Sequence, residues 1–266
     1  MRYCRQPFET ASIDNNGNIY SCMCNKWTSL GALGNILESD IIEIWQNLKI
    51  NQLRQTVFDQ TFSYCQKDEC SELWNLPNVD VINDPKNILP IEYNIAADSN
   101  CNLSCGSCRT KIQYDKEANP TAVKILDALK GAYTNFNQDV HIYCDGSGDI
   151  FASTAWKEFF LSSDLPDCFK FIFQTNGNLL TKNINILEKL KDRIDCLIVS
   201  FDAASDETYK KIRGGKFDLV KEGVRQAVRL GINVTTQYVL QRDNHHEINQ
   251  YVSLCKELVL HTLVYN

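Results

Sequence analysis

Residues 89–109, LPIEYNIAADSNCNLSCGSCR, decide how this chain is read. The opening run LPIEYNIAA is strand-like, and it leads directly into a loop carrying Cys101, Cys105 and Cys108, closed by Arg109. Three thiols suit neither a disulfide framework, which needs an even number, nor a closed zinc site, which needs four protein ligands. Three thiolates can each hold one iron of a cubane [4Fe–4S] cluster and leave the fourth iron open to a substrate atom. A zinc that borrows its fourth ligand from elsewhere is the alternative use of the same residues. Arg109 is expected either to offset the charge of a thiolate-bound cluster or to stand in solvent.

Downstream of the loop, short apolar runs alternate with segments of helical period. NPTAVKILDALKGAY opens with Asn119 as N-cap and Pro120 in the first helical position, and sets Ala122, Ile125, Leu126, Leu129 and Tyr133 on one face. The runs VHIYC, FKFIFQT, CLIVSFD, INVTTQYVL and LHTLVYN read as further strands, with helices predicted between them. Continuous apolar strands separated by helices predict an α/β fold, a partial (β/α)6 parallel barrel over residues 91–266, with ligand sites at the carboxyl ends of the strands. The sixth strand begins where the sequence stops, so the chain is expected to be a fragment or to take its cover from the N-terminal segment or a partner. Tyr93, Tyr143 and Tyr238 are expected to pack the core.

Residues 1–76 read as a small α+β module preceding the barrel. IDNNGNIYSC predicts a hairpin with an Asn-Gly turn, and SDIIEIWQNL an amphipathic helix capped by Asp40 with Ile41, Ile44, Trp45 and Leu48 inward. Residues 77–90, with three prolines, read as a linker.

The chain has 266 residues, 44% of them hydrophobic and 23% charged, which is ordinary for a globular enzyme. A net charge of −6 argues against a nucleic-acid or membrane-surface partner. The opening residues MRYCRQPFETAS lack the apolar core of a signal peptide, and no apolar run approaches the roughly 20 residues that span a bilayer. Cytoplasmic localisation is therefore expected, where thiols stay reduced. Of twelve cysteines, Cys144, Cys168, Cys196 and Cys255 stand among apolar neighbours and read as buried small residues, and the other eight as metal ligands.

The motif Cys101-x3-Cys105-x2-Cys108 after a first strand resembles the defining motif of the radical S-adenosylmethionine (radical SAM) enzymes, with Ser107 where the family often has an aromatic residue. DGSGD, residues 145–149, resembles the family's glycine-rich motif. That likeness implies that Gly146 and Gly148 let the cofactor's ammonium group approach backbone carbonyls, while Asp149 adds a carboxylate. QTNG supplies Asn176, and VSFDAASDETYKKIR resembles the segment that holds the ribose and the methionine carboxylate. By that match Ser200 and Asp202 face hydroxyls of the cofactor and Arg213 pairs with its carboxylate. Without the resemblance these residues read as turns, strand-end caps and an exposed helix arginine. The resemblance covers residues 91–266 and implies a catalytic [4Fe–4S] cluster, S-adenosylmethionine and an electron donor such as flavodoxin or ferredoxin. It further implies reductive cleavage to a 5′-deoxyadenosyl radical that takes hydrogen from a substrate.

The early cysteines, with G-x4-C from Gly17 to Cys22, a Trp-bearing helix and the closing CQKDEC, resemble the SPASM/twitch auxiliary-cluster module, which in most relatives follows the barrel. Five thiols suffice for one auxiliary [4Fe–4S] cluster held by Cys4, Cys22, Cys65 and Cys70, with Cys24 as the substitute, or for a structural zinc. Strand alternation at the hairpin end puts Cys22 and Cys24 on the same face. Relatives with this module most often modify a peptide or protein side chain, and others oxidise or rearrange small molecules such as sugars. A peptide maturase is therefore expected, with a small-molecule enzyme or a non-catalytic zinc scaffold as rivals.

Overall fold

The Asn-Gly turn of the sequence forms the hairpin expected of it. The computed structural model describes residues 1–80, 88–145, 147–258 and 261–265, so part of the expected linker and Gly146 lie outside the described residues. It divides into two compact units, the first made of Met1–Ala97, Pro120–Tyr143 and Pro166–Phe169, the second of Asp98–Asn119, Cys144–Leu165 and Lys170–Asn266.

In the first unit, α1 (Gln6–Glu9) leads into β1 (Thr10–Ile13), which pairs antiparallel with β2 (Asn18–Ser21), Ile13 opposite Ile19. The Asp14 carboxylate organises the turn by accepting from the backbone N–H of Asn16 at 2.9 Å and of Asn18 at 3.0 Å. Gly17 takes φ +84°, where a side chain would be strained. The short β3 (Gly34–Asn35) pairs with β2. Two helices follow, α2 (Ile41–Trp45) and α3 (Leu48–Phe58), where the sequence predicts one. Asp40 caps α2 through Ile42 N–H at 2.7 Å, and Asn47 caps α3 through Ile50 N–H at 3.2 Å. An Asn side chain that competes for backbone donors favours a helix start over a helix interior. Leu48 thus becomes the first residue of α3 and is 74% exposed rather than inward.

β4 (Glu92–Ile95) runs parallel to β1, from Thr10 opposite Glu92 to Ile13 opposite Ile95. α4 (Pro120–Ala132) buries Ala122, Ile125, Leu126 and Leu129 as the period predicts, and β5 (Val140–Cys144) completes the strand order β3-β2-β1-β4-β5. Tyr93 is a core residue: its ring meets that of Tyr133 edge-on at 6.0 Å, and the two hydroxyls are 2.8 Å apart.

The second unit holds α5 (Thr154–Leu161), β6 (Phe169–Thr175), α6 (Ile184–Leu190), β7 (Ile194–Ser200), α7 (Asp206–Arg213), α8 (Phe217–Arg229), β8 (Val234–Val239), α9 (Ile248–Glu257) and β9 (His261–Tyr265). β6 to β9 are parallel neighbours, with Thr175 opposite Val199, Ser200 opposite Gln237 and Val239 opposite Tyr265. This register ends β6, β7 and β8 together, at Thr175, Ser200 and Val239, the edge where parallel sheets bind ligands. Under the sheet, the Phe160 ring lies 5.2 Å from Trp156 and 4.8 Å from Phe173. Along the chain, strands β4 to β9 alternate with helices in the expected (β/α)6 order. Cys144, Cys168 and Cys255 are buried, whereas Cys196 is half-buried with its thiol 3.4 Å from Thr235 Oγ1. No helix among the described residues is long and apolar enough to cross a membrane.

Candidate active site and cluster-binding thiols

The cysteine loop is held by buried polar side chains rather than by regular structure of its own. Asp98, 4% exposed, accepts from Ser153 Oγ at 2.6 Å and from Asn100 N–H at 3.2 Å. Asn100 Oδ1 in turn accepts from Asp115 N–H at 3.1 Å, and Cys101 N–H donates to Gln113 O at 2.6 Å. A turn brings Cys108 N–H to Cys105 O at 2.9 Å, and Gly106 N–H reaches Ile212 O at 3.3 Å, at the end of α7. Buried polar groups satisfied in this way fix the backbone that carries the thiols.

Cys101, Cys105 and Cys108 all line one cavity of about 230 Å³, together with Asn176, Ser200 and Arg213. Cys101 is buried, Cys105 half-buried and Cys108 exposed. Burial pushes the Cys101 and Cys105 thiols above the ordinary thiol value, with the Arg213 guanidinium opposing it at Cys105. Gly148 sits where no other residue fits, because a Cβ there would lie 2.3 Å from the carbonyl oxygen of Asn100. Asp149 N–H then reaches that same oxygen at 2.7 Å, so Gly148 and Asp149 are docked on the start of the cysteine loop. The buried Asp149 carboxylate accepts from Thr175 Oγ1 at 2.8 Å, Asn176 N–H at 2.7 Å and Phe151 N–H at 3.1 Å. Burial raises its pKa, against these hydrogen bonds.

Asn176 follows β6, and its Nδ2 is 2.9 Å from Asn102 Oδ1 and 3.8 Å from Cys101 Sγ. Arg213, at the end of α7, has Nη1 4.0 Å from Cys105 Sγ, while its Nε and Nη2 go to Asp202. Asp202 is 3% exposed and is not among the cavity-lining residues; it stands behind Arg213. Arg109 donates to the carbonyls of Ser99 and Ser147, which clamps the cysteine loop to the glycine-rich loop. Gly146 lies outside the described residues.

The early thiols gather in the first unit. Cys4 and Cys70 are buried with Phe8, Val57, Phe62 and Leu73, and half-buried Cys65 packs against them. Burial, and then the neighbouring thiols Cys65 and Cys70, push Cys4 up to about 12; burial and Cys70 push Cys65 up to about 11. Cys22, raised by burial first, also feels Cys4, Cys65 and Cys70. Cys22 takes φ +71°, a left-handed backbone that breaks the strand alternation just after β2. Cys22 is buried with the other thiols, and half-buried Cys24 lines a cavity with Ser12, Tyr20 and Asn94 while also acting on Cys70.

Among the described residues, no group of three or more His, Cys, Asp or Glu side chains is close enough to hold a single metal ion. A cubane presents its irons at separate corners and needs thiols spread around a space. The donors of the triplet are of that type, and the cavity they line provides the space.

The family model described as the Radical SAM superfamily matches residues 99–255, which contain the triplet and every residue lining its cavity. The chain belongs to the radical SAM superfamily. Its cofactors are accordingly a [4Fe–4S] cluster and S-adenosylmethionine. A second model, SPASM, an iron-sulfur cluster-binding domain, matches residues 4–78. The radical SAM chain is 29% identical over 175 residues to the probable GTP 3′,8-cyclase of Methanococcus aeolicus, covering 59% of this chain and 53% of that protein. It resembles the crystal structure of Streptococcus suis SuiB bound to precursor peptide SuiA, with TM-score 0.52, 16% identity and coverage of 100% of this chain and 64% of that one. SuiB bound to S-adenosylmethionine gives TM-score 0.52 and 16% identity over 84% of this chain and 53% of that one. These likenesses are of fold. The chain spans about half the length of its curated relative, 53%.

Sequence reasoning did not name Asp145, Gln174 and Thr175, which also line the radical SAM cavity. It also passed over Asp98, Asn100 and Asn244. Asn244 is 0% exposed and donates to Asp202 O at 3.0 Å and Val239 O at 2.9 Å, joining the ends of β7 and β8. In QRDNHH it looks like any surface polar residue; only its position after a strand hints at a stapling role.

Proposed function

We propose that this chain is a radical SAM enzyme that cleaves S-adenosylmethionine and takes hydrogen from a peptide or protein side chain. In this reading residues 1–76 are an auxiliary-cluster module, 77–90 a linker and 91–266 the catalytic barrel. The observation that carries it is the single cavity lined by Cys101, Cys105 and Cys108 with Asn176, Ser200 and Arg213. When bound, the cluster and S-adenosylmethionine supply an electron and a 5′-deoxyadenosyl radical. Cys101, Cys105 and Cys108 would hold the cluster, each thiolate on one iron. Ser200 binds a cofactor hydroxyl, and Arg213, presented by Asp202, holds the carboxylate. Gly148 and Asp149 shape the wall beside the ammonium group, and Asn176 bridges that wall to the cysteine loop. Cys4, Cys22, Cys65 and Cys70 hold one auxiliary [4Fe–4S] cluster, and a cytoplasmic donor such as flavodoxin or ferredoxin delivers the electron.

The peptide substrate is supported by likeness in fold to SuiB with its precursor peptide along 100% of this chain. A small-molecule substrate is the second reading, favoured by the 29% identity to a probable GTP 3′,8-cyclase. Replacing Cys101, Cys105 and Cys108 together by alanine should lower iron from about eight to about four per chain and abolish 5′-deoxyadenosine formation under dithionite. Wild-type cleavage by that variant would sink the proposal. Incubating the anaerobic enzyme with short peptides encoded beside its gene, and separately with GTP, decides between the two substrates by mass spectrometry.

A further inference from the structure

Two carboxylates bracket the glycine-rich loop, and the fold uses one of them. Asp149 is buried and accepts from Thr175 Oγ1, Asn176 N–H and Phe151 N–H. Asp145, the first residue after β5, is half-buried and lines the same cavity as Cys101, Cys105 and Cys108. Its carboxylate has no hydrogen bond or ion pair among the described residues, yet its oxygens are not sealed from solvent. Burial raises its pKa, and no cation of the chain opposes burial there.

The charged and polar neighbours that could answer it are engaged elsewhere. Arg213 gives Nε and Nη2 to Asp202, and Arg109 donates to the carbonyls of Ser99 and Ser147. Gln174, also on the cavity wall, donates through Nε2 to Gln237 Oε1 at 3.1 Å. Asp145 thus presents an acceptor that the fold leaves unmet, and a partly buried carboxylate without a donor is costly. An anionic ligand group would be repelled by it, and a neutral N–H would answer the hydrogen bond but not the charge. An ammonium or a guanidinium answers both.

We propose that Asp145 receives a cationic side chain of the peptide substrate, a lysine ammonium or an arginine guanidinium, and so selects which residue enters the catalytic cavity. The proposal rests on the peptide reading above. S-adenosylmethionine carries cations of its own, but its ammonium is already assigned to the wall at Gly148 and Asp149, and the test separates cofactor from substrate.

The iron-loaded enzyme, with S-adenosylmethionine bound and no reductant, is titrated calorimetrically with three N-acetylated, C-amidated tripeptides: Gly-Lys-Gly, Gly-Arg-Gly and Gly-norleucine-Gly. The lysine and arginine peptides should bind on the order of tenfold tighter than the norleucine peptide. Asp145→Asn should erase that difference, and Asp145→Glu, which keeps the charge, should restore part of it. The ratio compares peptides on one variant, so a change in folded fraction does not move it. Equal affinities in the unaltered protein, or a preference that survives Asp145→Asn, would overturn the proposal. A tenfold loss of S-adenosylmethionine affinity in Asp145→Asn, measured without peptide, would give the carboxylate to the cofactor and overturn it as well. Should Asp145→Asn not fold, the contrast among the peptides in the unaltered protein decides alone. If none of the peptides binds, n-butylammonium is compared with n-butanol. Preference for the ammonium would keep the cation site and remove the peptide reading, and no binding of either would overturn the site itself, so the two failures are distinguishable.

Discussion

Arg213 meets a single oxygen of Asp202 with two nitrogens, Nε at 2.8 Å and Nη2 at 2.5 Å, while the other Asp202 oxygen accepts Val239 N–H at 2.7 Å. The carboxylate thus fixes the arginine to the end of β8 and leaves Nη1 toward the cavity. The two residues should respond differently to mutation. Arg213→Lys keeps the charge but loses the planar fork, so affinity for S-adenosylmethionine should fall with iron content unchanged. Asp202→Ala leaves a cation largely buried without its partner, and removing one member of a buried pair costs about 3–5 kcal/mol. Its melting temperature should drop well below that of Arg213→Lys. Equal melting temperatures would remove the holding role given to Asp202.

Gly148 is the most exacting position beside the triplet. Gly148→Ala places a methyl group against the backbone carbonyl of Asn100, at 2.3 Å if nothing moves, and backbone cannot swing away as a side-chain tip can. The cysteine loop must shift, at a cost of about 1–3 kcal/mol typical of overpacking. Iron should fall toward that of the triplet-free protein. Gly106→Ala, in the same loop, meets nothing within 4 Å and should retain its iron. Iron assays on the two variants check both statements, and similar iron in both would show that crowding at Gly148 is harmless.

Much of this architecture was legible in the sequence because its signals are local. The alternating runs gave the strands, Pro120 and the apolar period gave α4, and cysteine spacing pointed to the triplet. What escaped depends on residues distant in sequence. Asp149 looked like a ligand group, yet its hydrogen bonds run to Thr175 and Asn176, whose proximity only the fold supplies. Leu48 was misplaced because an Asn one residue earlier caps a new helix, a choice that hydrophobic period does not record. Cys22 escaped the strand alternation through one left-handed φ, invisible in a non-glycine residue.

Glu247 makes acid stability testable. It is 5% exposed, and burial alone would raise its pKa. Hydrogen bonds from Ser205 Oγ, Ala204 N–H and Thr208 Oγ1, at 2.5, 2.7 and 2.7 Å, outweigh burial and hold the carboxyl below the usual carboxylate value. A folded pKa below the unfolded one gives stability that is fully present above the unfolded value and is lost as pH falls through the folded one. Glu247→Gln should therefore be less stable than the unaltered protein at pH 7, and the gap should close on acidification below about 4.3, the ordinary glutamate value. Denaturant unfolding of both proteins across that range measures the gap, and acid effects common to both cancel in the difference. A gap independent of pH would mean that the charge of Glu247 contributes nothing.

The auxiliary thiols carry the prediction with the most mechanistic weight. Four protein thiolates close the coordination shell of a cubane and leave it only electron transfer, whereas three would open an iron to substrate. Cys4, Cys22, Cys65 and Cys70 influence one another electrostatically, and the left-handed φ of Cys22 accompanies its burial with them. Cys24 acts on Cys70 but lines the neighbouring cavity with Ser12, Tyr20 and Asn94. Cys24→Ala should accordingly retain about eight irons per chain, whereas Cys22→Ala should retain about four. The Cys22 variant should lose most substrate turnover yet still form 5′-deoxyadenosine, because that reaction needs only the cluster at Cys101, Cys105 and Cys108. Iron counts paired with 5′-deoxyadenosine assays separate the alternatives. Loss of iron in Cys24→Ala with retention in Cys22→Ala would exchange the two ligands. Loss in both would show that the four ligands are not the set Cys4, Cys22, Cys65 and Cys70, and the assignment would fail.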